Sequence, residues 1–282
     1  MLSRFGRIGP IPIVLAPEGE LVPGGLKLKP LKKKLYIACA KLLQLLKNVI
    51  WKAAAESEQT DVEAIFGQES KIFIAPNMPP AFEPNDGQNP AKPEKRPGAA
   101  KFVFLSRFMR KKNMNWLLEK IGSVDGEIEL DVYGPIEDDE YYRETEGILK
   151  KLPDNIHVRM RGPVSHENVA ETMADYHFFV LPTLGENFGH IFVEALAAGC
   201  PLVISDRSPW RGLEEKRIGW DIPLEDPQAW LRVVKLCVEM NGDEYKERSE
   251  LATDFAQAWL TSPTLEESNR AVLRYAVKQG AQ

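Results

Sequence analysis

A chain of 282 residues, 44% of them apolar and 27% charged, is long enough for one large or two ordinary domains with a buried core. Four histidines and three widely separated cysteines form no metal-ligand or CxxC pattern, so the sequence predicts no metal centre and free thiols in the reducing cytoplasm. A transmembrane span is also excluded, because Lys41 interrupts the only long apolar run.

Positive charge is concentrated at the start of the chain. Residues 1–52 carry a net charge of +8, so residues 53–282 carry −13. The predicted helix Leu31–Lys47 has apolar residues at three- and four-residue steps, namely Leu31, Leu35, Ala38, Leu42 and Leu46. The favoured interpretation is a helix packed on the core with a solvated lysine face. The alternative is peripheral contact with anionic lipid at the inner face of the cell membrane through Lys32, Lys33 and Lys34. Nucleic acid is not an expected partner, because no aromatic residues are interleaved with these lysines.

The first 77 residues predict a small domain of alternating strands and helices. Its strands are expected at Ile11–Ala16, Val49–Ala53 and Lys71–Ala75, and its second helix at Glu56–Phe66. Residues 76–98 then contain seven prolines and no apolar period, so residues 78–98 are predicted to be an interdomain linker.

Residues 99–262 predict a complete α/β domain. Short apolar strands alternate with helical segments, and this order is typical of a parallel doubly wound sheet. The strands are expected near Phe102–Ser106, Ile128–Tyr133, Ile156–Met160, Phe178–Leu181, Leu202–Ser205 and Gly219–Ile222. The intervening helices include Asn113–Ile121, capped by Asn113, and Trp210–Glu215. Residues 263–282 form a last helix that is a candidate to return to the first domain.

A glycine-containing loop follows the strand Phe178–Leu181. Gly185 and Gly189 allow close backbone approach to a ligand, and a helix begins near His190. The N–H groups at a helix N-terminus favour phosphate, and loops at the carboxyl edge of a parallel sheet bind ligands. Glu186 and Glu194 flank this anion site and are suited to accept hydrogen bonds from hydroxyl groups. A sugar joined to a phosphate meets both requirements.

The segment GENFGHIFVEALAAGCP, with Glu186 and Glu194 separated by seven residues, resembles the E-x7-E signature of retaining glycosyltransferases of family 4. The resemblance implies a GT-B fold, with two Rossmann-like domains, and a nucleotide diphosphate sugar as donor substrate without a further cofactor. It implies that the first glutamate contacts the donor sugar and the second the nucleotide ribose. The loop residues between them, with Gly185, would contact sugar and diphosphate: Asn187, Phe188, Gly189 and His190.

A basic pair follows the first strand of the second domain. Arg107 and Lys112 resemble the R-x4-K pair with which the family grips the donor diphosphate, although Ser106 replaces the usual glycine. The same resemblance places Gly134, Arg161 and Gly162, at the ends of the next two strands, against the nucleotide base.

The first domain resembles only the closing portion of a family 4 acceptor domain. No histidine occurs before His157, and no glycine-rich loop opens the chain, so the acceptor domain is expected to be truncated. A sheet that lacks some of its strands would leave an unpaired edge, which would also favour self-association.

The expected function is transfer of a glycosyl group to a hydroxyl of a glycan or lipid-linked acceptor, with retention, in polysaccharide or glycan biosynthesis. The alternative is a nucleotide-sugar binding protein without transferase activity. A nicotinamide-dependent enzyme is disfavoured, because no strand is followed by G-x-G-x-x-G.

Overall fold

The computed structural model describes residues 11–21, 26, 30–78 and 92–280. The chain divides into two compact units, one drawn from residues 1–80 and 261–282 and the other from residues 81–260. Most of the predicted linker 78–98 lies outside the described residues.

The first unit is built on a three-stranded parallel sheet. Its strands are β1 (Ile13–Leu15), β2 (Val49–Ala53) and β3 (Lys71–Ile74), and they lie in that order. Its helices are α1 (Pro30–Leu42), α2 (Glu56–Phe66) and the C-terminal helix α9 (Pro263–Gly280). Val272 and Ala276 of α9 pack with Ile50 of β2, while Val62 of α2 packs with Trp51. The two helices therefore contribute to separate apolar clusters of this unit.

Helix α1 differs from its prediction. Leu31, Leu35 and Leu42 are 83%, 66% and 83% exposed, and the buried residue of the helix is Ala40. The expectation that the leucine stripe packs on the core is thus wrong for these three leucines, whereas Leu46, beyond the end of α1, does pack against the cluster of Val49, Trp51 and Val62. The reason lies in competition for the core, because α2 and α9 supply the apolar residues that pack against β2.

The second unit contains a six-stranded sheet. Its strands are β4 (Ala99–Leu105), β5 (Glu127–Tyr133), β6 (Ile156–Gly162), β7 (Phe178–Leu181), β8 (Leu202–Ser205) and β9 (Gly219–Ile222). All pairs are parallel, and the strands lie in the order β6-β5-β4-β7-β8-β9. Every residue of β7 and β8 is buried, as expected for strands covered on both faces. The predicted parallel α/β sheet is confirmed.

Among the described residues of this unit, four helices connect the strands from β4 to β8, and two more follow β9. They are α3 (Met114–Ile121), α4 (Asp139–Leu149), α5 (Val169–Ala174), α6 (His190–Ala197), α7 (Pro227–Glu239) and α8 (Gly242–Leu260). Short 3-10 turns at Arg110–Lys112 and His166–Asn168 precede α3 and α5. Asp226 caps α7 by accepting from the N–H of Ala229 at 2.9 Å, and Pro227 occupies the first turn.

Two local predictions in this unit are wrong. The segment predicted as a helix, Trp210–Glu215, forms turns, and the left-handed backbone at Gly212 (φ 66°) interrupts a helical path. Asn113 precedes α3 but does not cap it with its side chain. It adopts a left-handed conformation instead (φ 61°), which asparagine tolerates better than most residues.

The described residues contain neither a membrane-spanning helix nor a metal-binding cluster. None of the helices there is long and apolar enough to cross a membrane. The same residues hold no group of three or more side chains arranged to bind a metal ion.

Candidate functional site

The strand order of the second unit places a ligand crevice between β4 and β7. From β4 the chain runs outward through β5 and β6 on one side, and through β7, β8 and β9 on the other. Open α/β sheets bind ligands outside the carboxyl ends of the strands where the order reverses in this way. Lys112 lies in the loop after β4, and Glu186 lies in the loop after β7. The topology therefore brings the two predicted motifs to one place.

Hydrogen bonds hold the loop after β7 in place. The N–H of Leu184 donates to the carbonyl of Lys111 at 2.8 Å, and the N–H of Glu186 donates to the carbonyl of Arg207 at 2.7 Å. Thr183 is fully buried, and its hydroxyl oxygen accepts from the N–H of Gly185 at 3.2 Å. The loop is thus joined to the loop after β4 on one side and to the loop after β8 on the other.

Gly189 allows the turn from this loop into α6. Its backbone is left-handed (φ 79°, ψ 64°), and an added Cβ would lie 2.5 Å from the ring of Phe192 and 3.1 Å from Cγ of Glu186. A side chain at this position would clash with the Phe192 ring, so glycine is required for the turn into α6. At its other end α6 closes with a Schellman motif, in which Cys200 N–H donates to the carbonyl of Ala195 and Gly199 N–H to that of Leu196.

Lys112 and Glu186 form a partly buried ion pair. Lys112 Nζ lies 2.6 Å from Glu186 Oε2, and the two side chains are 10% and 19% exposed. Each charge lies in a poorly solvated position and is compensated by the other. The pair joins residues 74 positions apart in sequence, and it places a cation beside a carboxylate at the crevice.

Glu194 lies on α6, one turn inside the helix, and is partly buried. Burial raises the pKa of its carboxyl above the ordinary value, and the electrostatic effect of His166 acts in the opposite direction. His166 belongs to the loop after β6, so a third loop at the same edge of the sheet approaches this carboxylate.

Arg107 and Lys112 both lie on the loop after β4, and Arg107 is the more exposed of the two. Its Nη1 lies 3.3 Å from Oε2 of Glu137, which follows β5, and its side chain is 61% exposed. The structure therefore pairs Arg107 with Glu137, whereas Lys112 is paired with Glu186.

The predicted base-contacting residues occupy different environments. Gly134 has φ 137°, and an added Cβ would lie 1.9 Å from the carbonyl oxygen of Ser106, so glycine is required there for loop packing. Gly162 has φ 76° with open space around its Cβ position. Arg161 donates through Nε to Asp131 at 2.9 Å. Burial alone would raise the pKa of Asp131, but hydrogen bonds from Arg159, Tyr176 and Arg161 hold it below the ordinary value.

Three contributing residues were not identified from the sequence. Thr183 orients the glycine loop, His166 approaches Glu194, and Trp210 donates from its indole Nε1 to the carbonyl of Phe188 at 2.6 Å. All three follow strands of the same sheet, and that common position is the signal that could have drawn attention to them.

Chemically, the crevice combines a partly buried ammonium group, a helix N-terminus and two carboxylates. The first two favour a negatively charged group, and the carboxylates can accept hydrogen bonds from hydroxyls.

Residues 99–239, which are half of the chain, match the family described as Glycosyl transferases group 1. Among curated relatives, a phosphatidyl-myo-inositol mannosyltransferase of Mycobacterium leprae (strain TN) is 29% identical over 152 residues, covering 52% of this chain and 38% of the relative. The GtfA subunit of a UDP-N-acetylglucosamine–peptide N-acetylglucosaminyltransferase of Streptococcus pneumoniae serotype 4 is 22% identical over 181 residues. That match covers 60% of this chain and 35% of the relative. The chain thus spans little more than a third of the length of either protein.

Solved structures share the fold. Anabaena Alr3699/HepE, in complex with UDP and glucose, superimposes with a TM-score of 0.73 at 16% identity, covering 97% of this chain and 73% of that protein. WaaG, a glycosyltransferase involved in lipopolysaccharide biosynthesis, gives a TM-score of 0.61 at 15% identity, covering 80% and 62%. These neighbours confirm the predicted GT-B-like α/β fold with Rossmann-like sheets. On the family match, the chain belongs to the glycosyl transferases group 1 family.

Proposed function

We propose that this chain is part of a retaining glycosyltransferase of the family 4 type, and that it binds a nucleotide diphosphate sugar at the carboxyl edge of β4 and β7. The observation that carries the proposal is the pairing of Lys112 with Glu186 beside the N-terminus of α6. A cation and helix N–H groups suit a diphosphate, while a neighbouring carboxylate suits the hydroxyls of a sugar.

Each charged group is assigned one role. Lys112 and Arg107 bind the diphosphate, Glu186 accepts from a hydroxyl of the transferred sugar, and Glu194 accepts from the ribose. The raised pKa of Glu194 is consistent with a desolvated carboxyl that would gain a hydrogen-bond partner when a hydroxyl binds. The loop residues Asn187 and His190 lie between the two carboxylates along the chain and would line the donor site.

The costly step of the reaction is cleavage of the bond between the sugar and the diphosphate. Negative charge then develops on the leaving group, where the Lys112 ammonium and the amides at the start of α6 would stabilise it. Each preorganised donor of this kind contributes roughly 3–4 kcal/mol to stabilisation of a transition state. The acceptor hydroxyl would bond to the anomeric carbon on the face that the diphosphate leaves, and its proton would pass to the departing phosphate oxygen, so the anomeric configuration is retained.

UDP is the first nucleotide to test. The solved Anabaena neighbour contains UDP and glucose, and the streptococcal relative is named for UDP-N-acetylglucosamine. Calorimetry with UDP and GDP should give binding to the wild-type chain and at least tenfold weaker binding to Lys112→Ala. The melting temperature of the variant with and without nucleotide serves as the folding control. Binding of neither nucleotide by folded wild-type protein would contradict the proposal.

A second candidate is a nucleotide-sugar binding protein that, on its own, does not transfer the sugar. It is favoured by one observation: all four histidines lie at or after His157, in the second unit. The family's acceptor-side histidine therefore has no counterpart among them. Radiolabelled nucleotide sugars with mixed acceptors distinguish the candidates, because glycosyl transfer by the purified chain would eliminate the second.

The acceptor side and the location of the protein are further proposals. We place the protein in the cytoplasm with its lysine-rich helix at the inner membrane face, where the acceptor would be a glycan or lipid-linked hydroxyl. Lys32 and Lys34 are exposed beside the exposed leucines of α1, whereas Lys33 forms an ion pair with Glu20. Sedimentation with anionic and neutral vesicles tests this, and equal recovery with both would refute a role for the lysines. Sedimentation without vesicles tests the predicted self-association.

A further inference from the structure

An aromatic cluster lies under the glycine loop of the candidate site. Trp210, from the loop after β8, contacts Phe188 and Phe192, with ring centroids 5.9 and 6.3 Å apart. Phe255 and Trp259 of α8 close the cluster at 6.2 and 6.1 Å from Trp210. Trp210 is 9% exposed and Phe188 is 6% exposed, so the cluster forms part of the core of the second unit.

Within this cluster Trp210 makes one polar contact with the loop. Its indole Nε1–H donates to the carbonyl oxygen of Phe188 at 2.6 Å. In a trans peptide the carbonyl and the next N–H point in opposite directions. Because the carbonyl of Phe188 points into the cluster, the N–H of Gly189 points away from the cluster.

The hydrogen bond from Trp210 fixes the orientation of the peptide between Phe188 and Gly189, which the local backbone does not fix by itself. Gly189 has no side chain and takes a left-handed conformation, so its own backbone preference does not select one orientation of the peptide. Rotation of this peptide would turn the N–H of Gly189 toward the core and leave the start of α6 with a carbonyl on its outer side. A carbonyl in that place would repel a phosphate.

We propose that Trp210 is a positioning residue, which holds the Phe188–Gly189 peptide so that the Gly189 N–H and the first amides of α6 face the donor diphosphate. This inference rests on the proposed donor site. Trp210 does not contact the donor in this scheme, and acts through the loop backbone. Phenylalanine could fill the cluster, but only an N–H donor at this position satisfies the buried carbonyl.

The test uses Trp210→Phe, which keeps an aromatic ring in the cluster and removes the N–H. The matched control is Trp230→Phe on α7. Trp230 is 1% exposed and packs against Trp116, and its indole nitrogen has no hydrogen-bond partner among the described residues. Both variants lose a buried indole, so both are expected to melt at a somewhat lower temperature.

Two measurements separate positioning from a general loss of stability. Calorimetry with UDP should show roughly tenfold weaker binding for Trp210→Phe, equivalent to about 1.4 kcal/mol, and unchanged binding for Trp230→Phe. Hydrogen–deuterium exchange without nucleotide should be faster over residues 183–198 in Trp210→Phe only.

The outcomes are distinguishable. Wild-type UDP affinity in Trp210→Phe, equal weakening by Trp230→Phe, or unchanged exchange over residues 183–198 would each overturn the inference while leaving the donor site in place. Failure of wild-type protein to bind UDP or GDP would instead overturn the donor site and, with it, the role of Trp210.

Discussion

Replacement of Glu186 by Gln is expected to tighten the binding of UDP. The change keeps the length of the side chain and one acceptor oxygen, but removes the negative charge. In the unliganded protein Lys112 Nζ lies 2.6 Å from Glu186 Oε2. A phosphate oxygen bonded to the same ammonium would lie roughly 5 Å from that carboxylate, given ordinary hydrogen-bond lengths. Two unit negative charges about 5 Å apart repel by about 3 kcal/mol at an effective dielectric constant of about 20.

Solvent at the open edge of the sheet reduces this repulsion, and a net gain of about 1–2 kcal/mol corresponds to UDP binding about tenfold more tightly. A UDP-sugar should gain less, because Glu186→Gln also weakens the contact with the sugar. Calorimetry with UDP and UDP-glucose gives both affinities. The matched control is Glu247→Gln, which neutralises an exposed partner of Arg217 outside the site and should change neither value. UDP affinity at or below the wild-type value in Glu186→Gln would refute the placement of the diphosphate beside Lys112.

Two further predictions concern the other charged groups. Arg107→Ala should weaken UDP and GDP binding severalfold. It should change the melting temperature by about 2 °C or less, since the ion pair of Arg107 with Glu137 is exposed and exposed pairs contribute about 0–1 kcal/mol to stability. Unchanged affinity by calorimetry would exclude Arg107 from the phosphate site. Glu194→Gln should melt at a higher temperature than wild type at pH 8 and at the same temperature at pH 4. The pKa of the Glu194 carboxyl is raised in the folded state, so the ionised carboxylate of the wild type destabilises the fold at a pH above that pKa. This destabilisation is absent at a pH below the pKa of the unfolded state, where the carboxyl is protonated in both states. Thermal melts at both pH values check this, and a difference that persists at pH 4 would contradict it.

The sequence was most informative where chemistry is local. The strands Phe178–Leu181, Leu202–Ser205 and Gly219–Ile222 have the predicted bounds, because each is a short apolar run next to proline or glycine. Gly189 and Gly199 likewise marked the start and end of α6, where the structure has left-handed backbone.

What the sequence could not supply depends on contacts between distant segments. The periodicity of α1 indicated which residues share a face, but not whether a neighbour covers that face, and Leu31 and Leu42 are exposed. Arg107 and Lys112 were assigned one role from one motif, yet the structure gives them different partners, Glu137 and Glu186. Trp210 was placed in a helix, because helical composition concealed the turn at Gly212.

The candidate site is assembled from strand-end loops whose main chains are bonded to one another. The loop after β7 donates to the carbonyls of Lys111 and Arg207, and the loops after β4 and β5 are joined by Phe108 N–H to the carbonyl of Pro135 at 2.8 Å. A group that binds the diphosphate therefore cannot shift without straining hydrogen bonds in a neighbouring loop. Electrostatic stabilisation depends on donors that are oriented before the charge develops. In this fold the orientation comes from the backbone of adjacent loops, so that a mutation which leaves every charged side chain intact, such as Trp210→Phe, is still expected to weaken binding.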